Sequence, residues 1–347
     1  MNISDILLGA AIIIAAPAVN RVGEAKAQQI HPDQVVVDSP FVHDPVLAYE
    51  NGRYYLYSTG HGISQMTSAD RKHWTLCREG VLKNHEIPAW THDSVPGFHT
   101  HIWAPDVIHY RNKWYLAYSC STFGKNTSAI GLLSNTSLAN MNGWKDEGCI
   151  LASEGKRDNW NAIDPNFVID DKGNPWMTWG SFWDGIQLVK LDKKTMHVKK
   201  GAKPQTIARR HAFGDASAEL NPTSKFAGTN AIEAPFIMKH GGYYYLFVSW
   251  DYCCRGIKSN YRVAVGRSKK VAGPYLDKAG RDMRNGGGTL ILEGDKKEYE
   301  AMGHCSAYSF SDGDYFFCHG YSVPKNGASI LVQKRIRWTA DGWLTLE

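Results

Sequence analysis

Five stretches of the 347-residue chain can be laid over one another, and three of them hold a carboxylate in the same column. They open at Val42-His43-Asp44-Pro45, Trp103-Ala104-Pro105, Ala162-Ile163-Asp164-Pro165, Ala231-Ile232-Glu233-Ala234 and Met302-Gly303-His304-Cys305. The column reads Asp44, Ala104, Asp164, Glu233 and His304, at intervals of 60, 60, 69 and 71 residues. About ten to twelve residues past the column comes an aromatic pair or its equivalent: Tyr54-Tyr55, Trp114-Tyr115, Trp176 beside Met177, Tyr243-Tyr244 and Tyr315-Phe316.

Between column and aromatics each unit has the grammar of a hairpin. A short apolar run leads to a turn, Asn51-Gly52 in the first unit and Gly241-Gly242 in the fourth, and then to a strand such as Tyr54-Tyr55-Leu56-Tyr57. A third alternating segment follows, for example Tyr261-Arg262-Val263-Ala264-Val265, and long helical periodicity is absent. Units of three to four antiparallel strands repeated radially make a β-propeller. The expected fold is therefore all-β, a five-bladed β-propeller over residues 35–347, with the first strand of each blade along the axis. A sandwich or jelly roll is the rival, but it would not bring one column to one centre.

Composition sets the remaining bounds. Hydrophobic residues at 43% and aromatics at 12% suffice for a large core, which excludes disorder. A net charge of +5 without blocks of like charge gives no reason to expect a nucleic-acid partner. An apolar run from Ile6 to Val19, then Ala25-Lys26-Ala27, reads as a secretory signal peptide over residues 1–27, although Asp5 occupies an n-region without Lys or Arg. A leader or membrane anchor is the other reading, and no second stretch reaches spanning length. The expectation is an exported protein, periplasmic or secreted, and monomeric. Seven cysteines lack zinc-site spacing, and the adjacent pair Cys253-Cys254 is unusual.

A ring that brings Asp44, Asp164 and Glu233 together suggests acid/base chemistry on a neutral substrate. An Asp-Pro step by itself is most often a turn. Glu233, between apolar neighbours, would be desolvated and so have the raised pKa that a general acid needs. Two carboxylates with separate tasks and a third tuning them is the economy of glycoside hydrolysis. His304 reads either as a hydrogen-bonded core histidine or as the partner of an axial ion. Asp106, two residues past the column, reads as structural. Aromatics near the inner strands, Trp90, Trp103, Phe123, Trp179, Trp183 and Trp250, include candidates for stacking on sugar C–H faces.

The segments His43-Asp44-Pro45, Trp103-Ala104-Pro105-Asp106-Val107, Ala162-Ile163-Asp164-Pro165-Asn166, Gly180-Ser181-Phe182-Trp183-Asp184-Gly185-Ile186, Ile232-Glu233-Ala234-Pro235-Phe236, Cys253-Cys254-Arg255-Gly256 and Gly303-His304 resemble glycoside hydrolase family 43. They resemble most its endo-α-1,5-L-arabinanases, in order from about residue 35 to the end. The resemblance implies an inverting mechanism with Asp44 as general base, Glu233 as general acid and Asp164 as the residue that tunes and orients the acid. It implies substrate contacts from Trp103, Phe123, Ile163, Ser181 and Cys253, and a calcium ion near His304 reached partly through water. Arabinan or arabino-oligosaccharide would be the partner. An exo-acting arabinofuranosidase or β-xylosidase is the alternative within the family, and a non-catalytic carbohydrate-binding propeller the alternative outside it. Three acids in one ring would be costly to desolvate without a task, which favours the enzyme.

Overall fold

The computed structural model describes residues 36–212 and 228–347. The expected signal peptide at 1–27 lies outside the described residues. The described chain is almost entirely strand and forms five antiparallel sheets, two of five strands and three of four. These are the blades of a five-bladed β-propeller, as the repeat predicts.

Each blade begins with an inner strand: Val46–Glu50, His101–Tyr110, Asn166–Ile169, Ile232–His240 and Tyr299–Phe310. The second strands, Arg53–Ser58, Lys113–Cys120, Pro175–Trp179, Tyr243–Trp250 and Gly313–Ser322, carry the aromatic pairs. Their registers are those of tight hairpins, with Glu50 opposite Arg53, Tyr110 opposite Lys113 and His240 opposite Tyr243. Gly52, Gly173 and Gly242 take the left-handed conformation at three of these turns, where a Cβ would be strained.

Apolar side chains between adjacent blades build several core clusters in place of one centre. One joins Tyr57, Trp114 and Leu116 across the first two blades, and another joins Phe247, Phe316 and Cys318 across the last two. Buried polar staples add register between blades. The Asp106 carboxylate accepts from the Phe167 amide at 2.6 Å, Asn166 Oδ1 accepts from the Ile237 amide at 2.8 Å, and Ser306 Oγ donates to the Pro45 carbonyl at 2.9 Å. Asp106 is thus a structural link between blades, and burial pushes its pKa up to about 7. The ring closes where Val42 donates to the Ser329 carbonyl and Leu331 donates to the Pro40 carbonyl.

Candidate active site

The inner strands are not regular at the column. Asp44, Ala104, Asp164 and His304 have φ of 57, 39, 58 and 50°, a left-handed backbone that is uncommon for residues with a Cβ. In the fourth blade this conformation falls on Ala234, with φ of 53°, one residue after Glu233. Strand pairing shifts register at the same places, between Trp103 and Asp106, Glu233 and Phe236, and Gly303 and Ser306. Bulges of this kind re-aim side chains beside active sites.

The amide of each column residue is tied to a side chain. Ala104 donates to Thr59 Oγ1, Asp164 to Ser119 Oγ, His304 to Ser249 Oγ and Asp44 to His319 Nδ1, at 2.8 to 3.1 Å. Ala234 donates to Asp164 Oδ2 at 3.1 Å. The backbone column is therefore Asp44, Ala104, Asp164, Ala234 and His304, at intervals of 60, 60, 70 and 70 residues. Aligning by acid placed Glu233 in it, one position too late. Glu233 instead matches His43, Trp103, Ile163 and Gly303. Gly303 is required there, because a Cβ would lie 2.0 Å from the Tyr261 ring.

Side chains from both positions line one cavity of about 630 Å³, including His43, Asp44, Trp103, Ile163, Asp164, Glu233 and His304. Its size suits a short oligomeric ligand. The three acids and His304 are all buried.

Asp44 is held by donors. Oδ1 lies 2.7 Å from His43 Nδ1 and 2.9 Å from His304 Nδ1, and Oδ2 accepts from Thr59 Oγ1 at 2.5 Å. Burial alone would raise its pKa, but the attraction and hydrogen bonds of His304 and His43 outweigh it and hold the carboxyl well below the usual range. His304 answers in kind. Desolvation disfavours its charged form, yet Asp44 beside it and the two other acids push its pKa up to about 9.

Glu233 and Asp164 sit in the opposite environment. Burial raises Glu233, opposed in part by Ser181 Oγ, which donates to its Oε2 at 2.7 Å. Burial also raises Asp164, well above its ordinary value, with Glu233 and Asp44 adding like-charge repulsion against His304. One wall of the cavity thus stabilises an ionised carboxylate and the other keeps a proton. That division supports acid/base chemistry on a bond placed between them.

The sequence profile described as Glycosyl hydrolases family 43 matches residues 34–344. The chain belongs to glycosyl hydrolase family 43. It is similar to an exo-1,5-α-L-arabinanase from a bovine ruminal metagenomic library, with 51% identity and a TM-score of 0.81 over 89% of this chain and 98% of that one. An α-L-arabinanase of Cellvibrio cellulosa, solved with arabinohexaose, is 41% identical with a TM-score of 0.82, covering 89% of this chain and 96% of its own. An extracellular endo-α-(1→5)-L-arabinanase of Bacillus subtilis is 39% identical over 87% of this chain and 86% of its own. As a member of this family the protein is a glycoside hydrolase.

All five expected contact residues, Trp103, Phe123, Ile163, Ser181 and Cys253, line the cavity. Phe123 is 78% exposed, an aromatic face held out at the rim. Ser181 is engaged with Glu233, to whose Oε2 its hydroxyl donates. Trp183 also faces the cavity, whereas Trp179 and Trp250 are buried in blade packing and Trp90 packs against the first core cluster. Cys253 and Cys254 form a disulfide, and the other five cysteines are free.

The sequence reading passed over Thr59, His319 and Tyr321, which surround Asp44. The first two had a signal: Thr59, Ser119, Ser249 and His319 recur at the same point of four blades.

Near His304 the donor set suits an ion only loosely. Nδ1 is occupied by Asp44, which leaves Nε2 as the one ring nitrogen for a metal. Among the described residues, the clusters with three ligand atoms in reach of one another are His43, Cys253 and Cys254, and His43, Asp44 and His319; neither includes His304. A hard cation there would depend on water for most of its shell, which is compatible with the chemistry of calcium.

Proposed function

We propose that this protein hydrolyses α-1,5-linked L-arabinan, the side chain of pectin, with inversion at the anomeric carbon. The observation that carries the reading is the opposite electrostatics of Asp44 and Glu233 across one cavity. Asp44, ionised and held by three donors, takes a proton from the attacking water. Glu233, protonated by desolvation, delivers its proton to the departing glycosidic oxygen. Asp164 tunes the acid because the two neighbouring carboxyls disfavour double ionisation, and through the Ala234 amide it fixes the bulge that aims Glu233. Inverting pairs leave room for a water, at about 6.5–9.5 Å between carboxyls. Trp103, Phe123, Ile163 and Cys253 supply apolar contacts for the furanose rings.

Proton NMR of the first-formed product tests the stereochemistry: inversion is expected, and retention would refute it. Attack along the chain interior, the endo mode, accords with the motif resemblance and with the Bacillus subtilis relative. The exo mode is a second reading, favoured by the exo-acting protein at 51% identity. Product profiles on linear arabinan separate them, since an early ladder of oligomers means endo and a single small product means exo.

His304 Nε2, with water, would hold a calcium ion while Nδ1 continues to donate to Asp44. The charge so supplied would balance three acids that otherwise rely on the imidazolium. Export fits the extracellular description of the Bacillus subtilis relative, and no helix among the described residues is long and apolar enough to cross a membrane. The enzyme would act as a monomer.

A further inference from the structure

The hydrogen bonds around Asp44 can be followed donor by donor into the fifth blade, and they leave little freedom. The Asp44 amide can only donate, so His319 Nδ1, 3.1 Å away, must accept. His319 is fully buried and its pKa is held well below the ordinary value by desolvation, which keeps the ring neutral. Its proton therefore lies on Nε2, which is 3.2 Å from the Tyr321 hydroxyl and donates to it. The Cys254 amide also donates to Tyr321 Oη, at 2.7 Å. With both lone pairs of that oxygen engaged, the remaining function of Tyr321 is to donate its own hydrogen. The Ser259 side chain also bonds Tyr321 and favours its ionised form, as a donor does, so the acceptor for the Tyr321 hydrogen is His43 Nε2 at 2.9 Å. His43 then carries its proton on Nδ1, 2.7 Å from Asp44 Oδ1, where a carboxylate requires a donor; the Cys254 sulfur, 3.8 Å from Nε2, is too weak an acceptor to draw it away.

We infer that Tyr321 is a positioning residue for the general base: its hydroxyl fixes His43 as the Nδ1–H tautomer and so aims one of the hydrogen bonds that orient Asp44. The disulfide-bonded pair Cys253-Cys254 is part of the device, because the Cys254 amide helps compel Tyr321 to donate in that direction. The stacking of His43 on His319, with ring centroids 3.8 Å apart, holds the imidazole plane but cannot distinguish its two nitrogens. The Tyr321 hydroxyl can. Without it the ring can turn over or exchange tautomers, and the Asp44 carboxylate loses a fixed donor while its other two remain. The inference rests on Asp44 being the base, since only then does its orientation set the rate.

Two measurements test this. ¹⁵N NMR of the intact enzyme, labelled at histidine and assigned with a His43→Asn control, should show His43 with a protonated Nδ1 and a bare Nε2. In Tyr321→Phe the two ¹⁵N shifts should move toward each other as a mixture forms. Kinetically, Tyr321→Phe should lower kcat by about tenfold, the scale of one hydrogen bond to a charged group, with KM unchanged. His43→Asn, whose amide nitrogen can stand where Nδ1 was, should keep more activity than His43→Gln. Adding Tyr321→Phe to His43→Asn should then cost nothing further. A wild-type spectrum with the proton on Nε2 overturns the inference, as does a Tyr321→Phe enzyme with unaltered shifts and kcat. A further tenfold loss in the His43→Asn background would make Tyr321 merely structural, which also overturns it. The spectra need no substrate, so failure of the base assignment itself, seen as an active Asp44→Ala enzyme, is read separately.

Discussion

The two sides of the cavity use the same side-chain chemistry to opposite ends. On the first-blade side, Asp44 is buried but met by His43, His304 and Thr59, and its pKa falls. On the third- and fourth-blade side, Asp164 and Glu233 are equally buried but receive few donors, and like charge adds to burial, from Glu233 and Asp44 on Asp164 and from Asp44 on Glu233, so theirs rise. Burial is the leading influence on all three, so it cannot be what separates the lowered carboxyl from the two raised ones. The placement of cations and donors does that. His304 is the pivot, because its Nδ1 pairs with Asp44 Oδ1 at 2.9 Å.

The hardest way to break this comparison is to remove either partner. Asp44→Ala and Glu233→Ala should each reduce kcat on arabinan by at least about 100-fold, the lower scale of acid/base catalysis. The two should differ on an arabinoside with a good leaving group. Glu233→Ala should recover much of its loss there, since the leaving group needs no proton, while Asp44→Ala should not. Steady-state kinetics on both substrates check this, and equal losses would remove the distinction between the sides.

Removing the pivot comes next. Asp44 must be ionised to act, so activity is lost as pH falls through its pKa. His304→Ala deletes the cation that lowers that pKa, and the acid limb of the kcat/KM profile should move to higher pH by about one unit or more, the effect of an opposite charge at contact. Glu233 and Asp164 also lose a lowering influence, so the basic limb should move up as well. Stability provides a second reading. His304 has a folded-state pKa raised from 6.5 to about 9, so its stabilisation is complete below about 6.5 and is lost as pH climbs through about 9. Thermal melts of wild type should decline across that window, and those of His304→Ala should be flatter there. Exhaustive chelation would expose any calcium bound at Nε2, since the vacated nitrogen should take up a proton at neutral pH.

Much of this arrangement was legible in the sequence, and the illegible parts have physical reasons. Blade number followed from a repeat whose hairpin turns and aromatic strands serve packing alone, so every unit retains them. Asp44, Asp164 and His304 were legible because the left-handed column position coincides with a chemical side chain in those blades. Glu233 was found by its chemistry but misplaced by one residue, because a bulge is a property of backbone register and an alignment by side-chain type cannot see it. His43 was visible only as part of a motif, and Tyr321 was missed because its residue type does not recur at the same point of the other blades. It gains its role from two other blades, through the Cys254 amide and His43, and such long-range hydrogen bonds leave no local pattern.

A milder intervention tests the coupling within the acid side. In Asp164→Asn the Oδ1 can still accept from the Ala234 amide, so the bulge should persist while the charge is gone. Glu233 then loses a repelling neighbour and its pKa falls. A general acid must be protonated, and activity is lost as pH rises through its pKa, so the basic limb should move to lower pH by about one unit. A pH–rate profile identical to wild type, with near-normal turnover, would reduce Asp164 to a strand cap.

The smallest effect belongs to Ser181, whose hydroxyl donates to Glu233 Oε2 at 2.7 Å. This bond favours the ionised acid and so works against the burial that raises its pKa. Ser181→Ala removes it, and Glu233 should hold its proton to higher pH, moving the basic limb upward, opposite to Asp164→Asn. The same bond restrains the carboxyl, so kcat at the optimum should fall by about fivefold, the worth of roughly 1 kcal/mol. If Ser181 served chiefly to bind sugar, KM would rise and the limb would stay in place. The direction of the limb therefore decides between the two: upward for a residue that tunes the acid, unmoved for one that holds substrate.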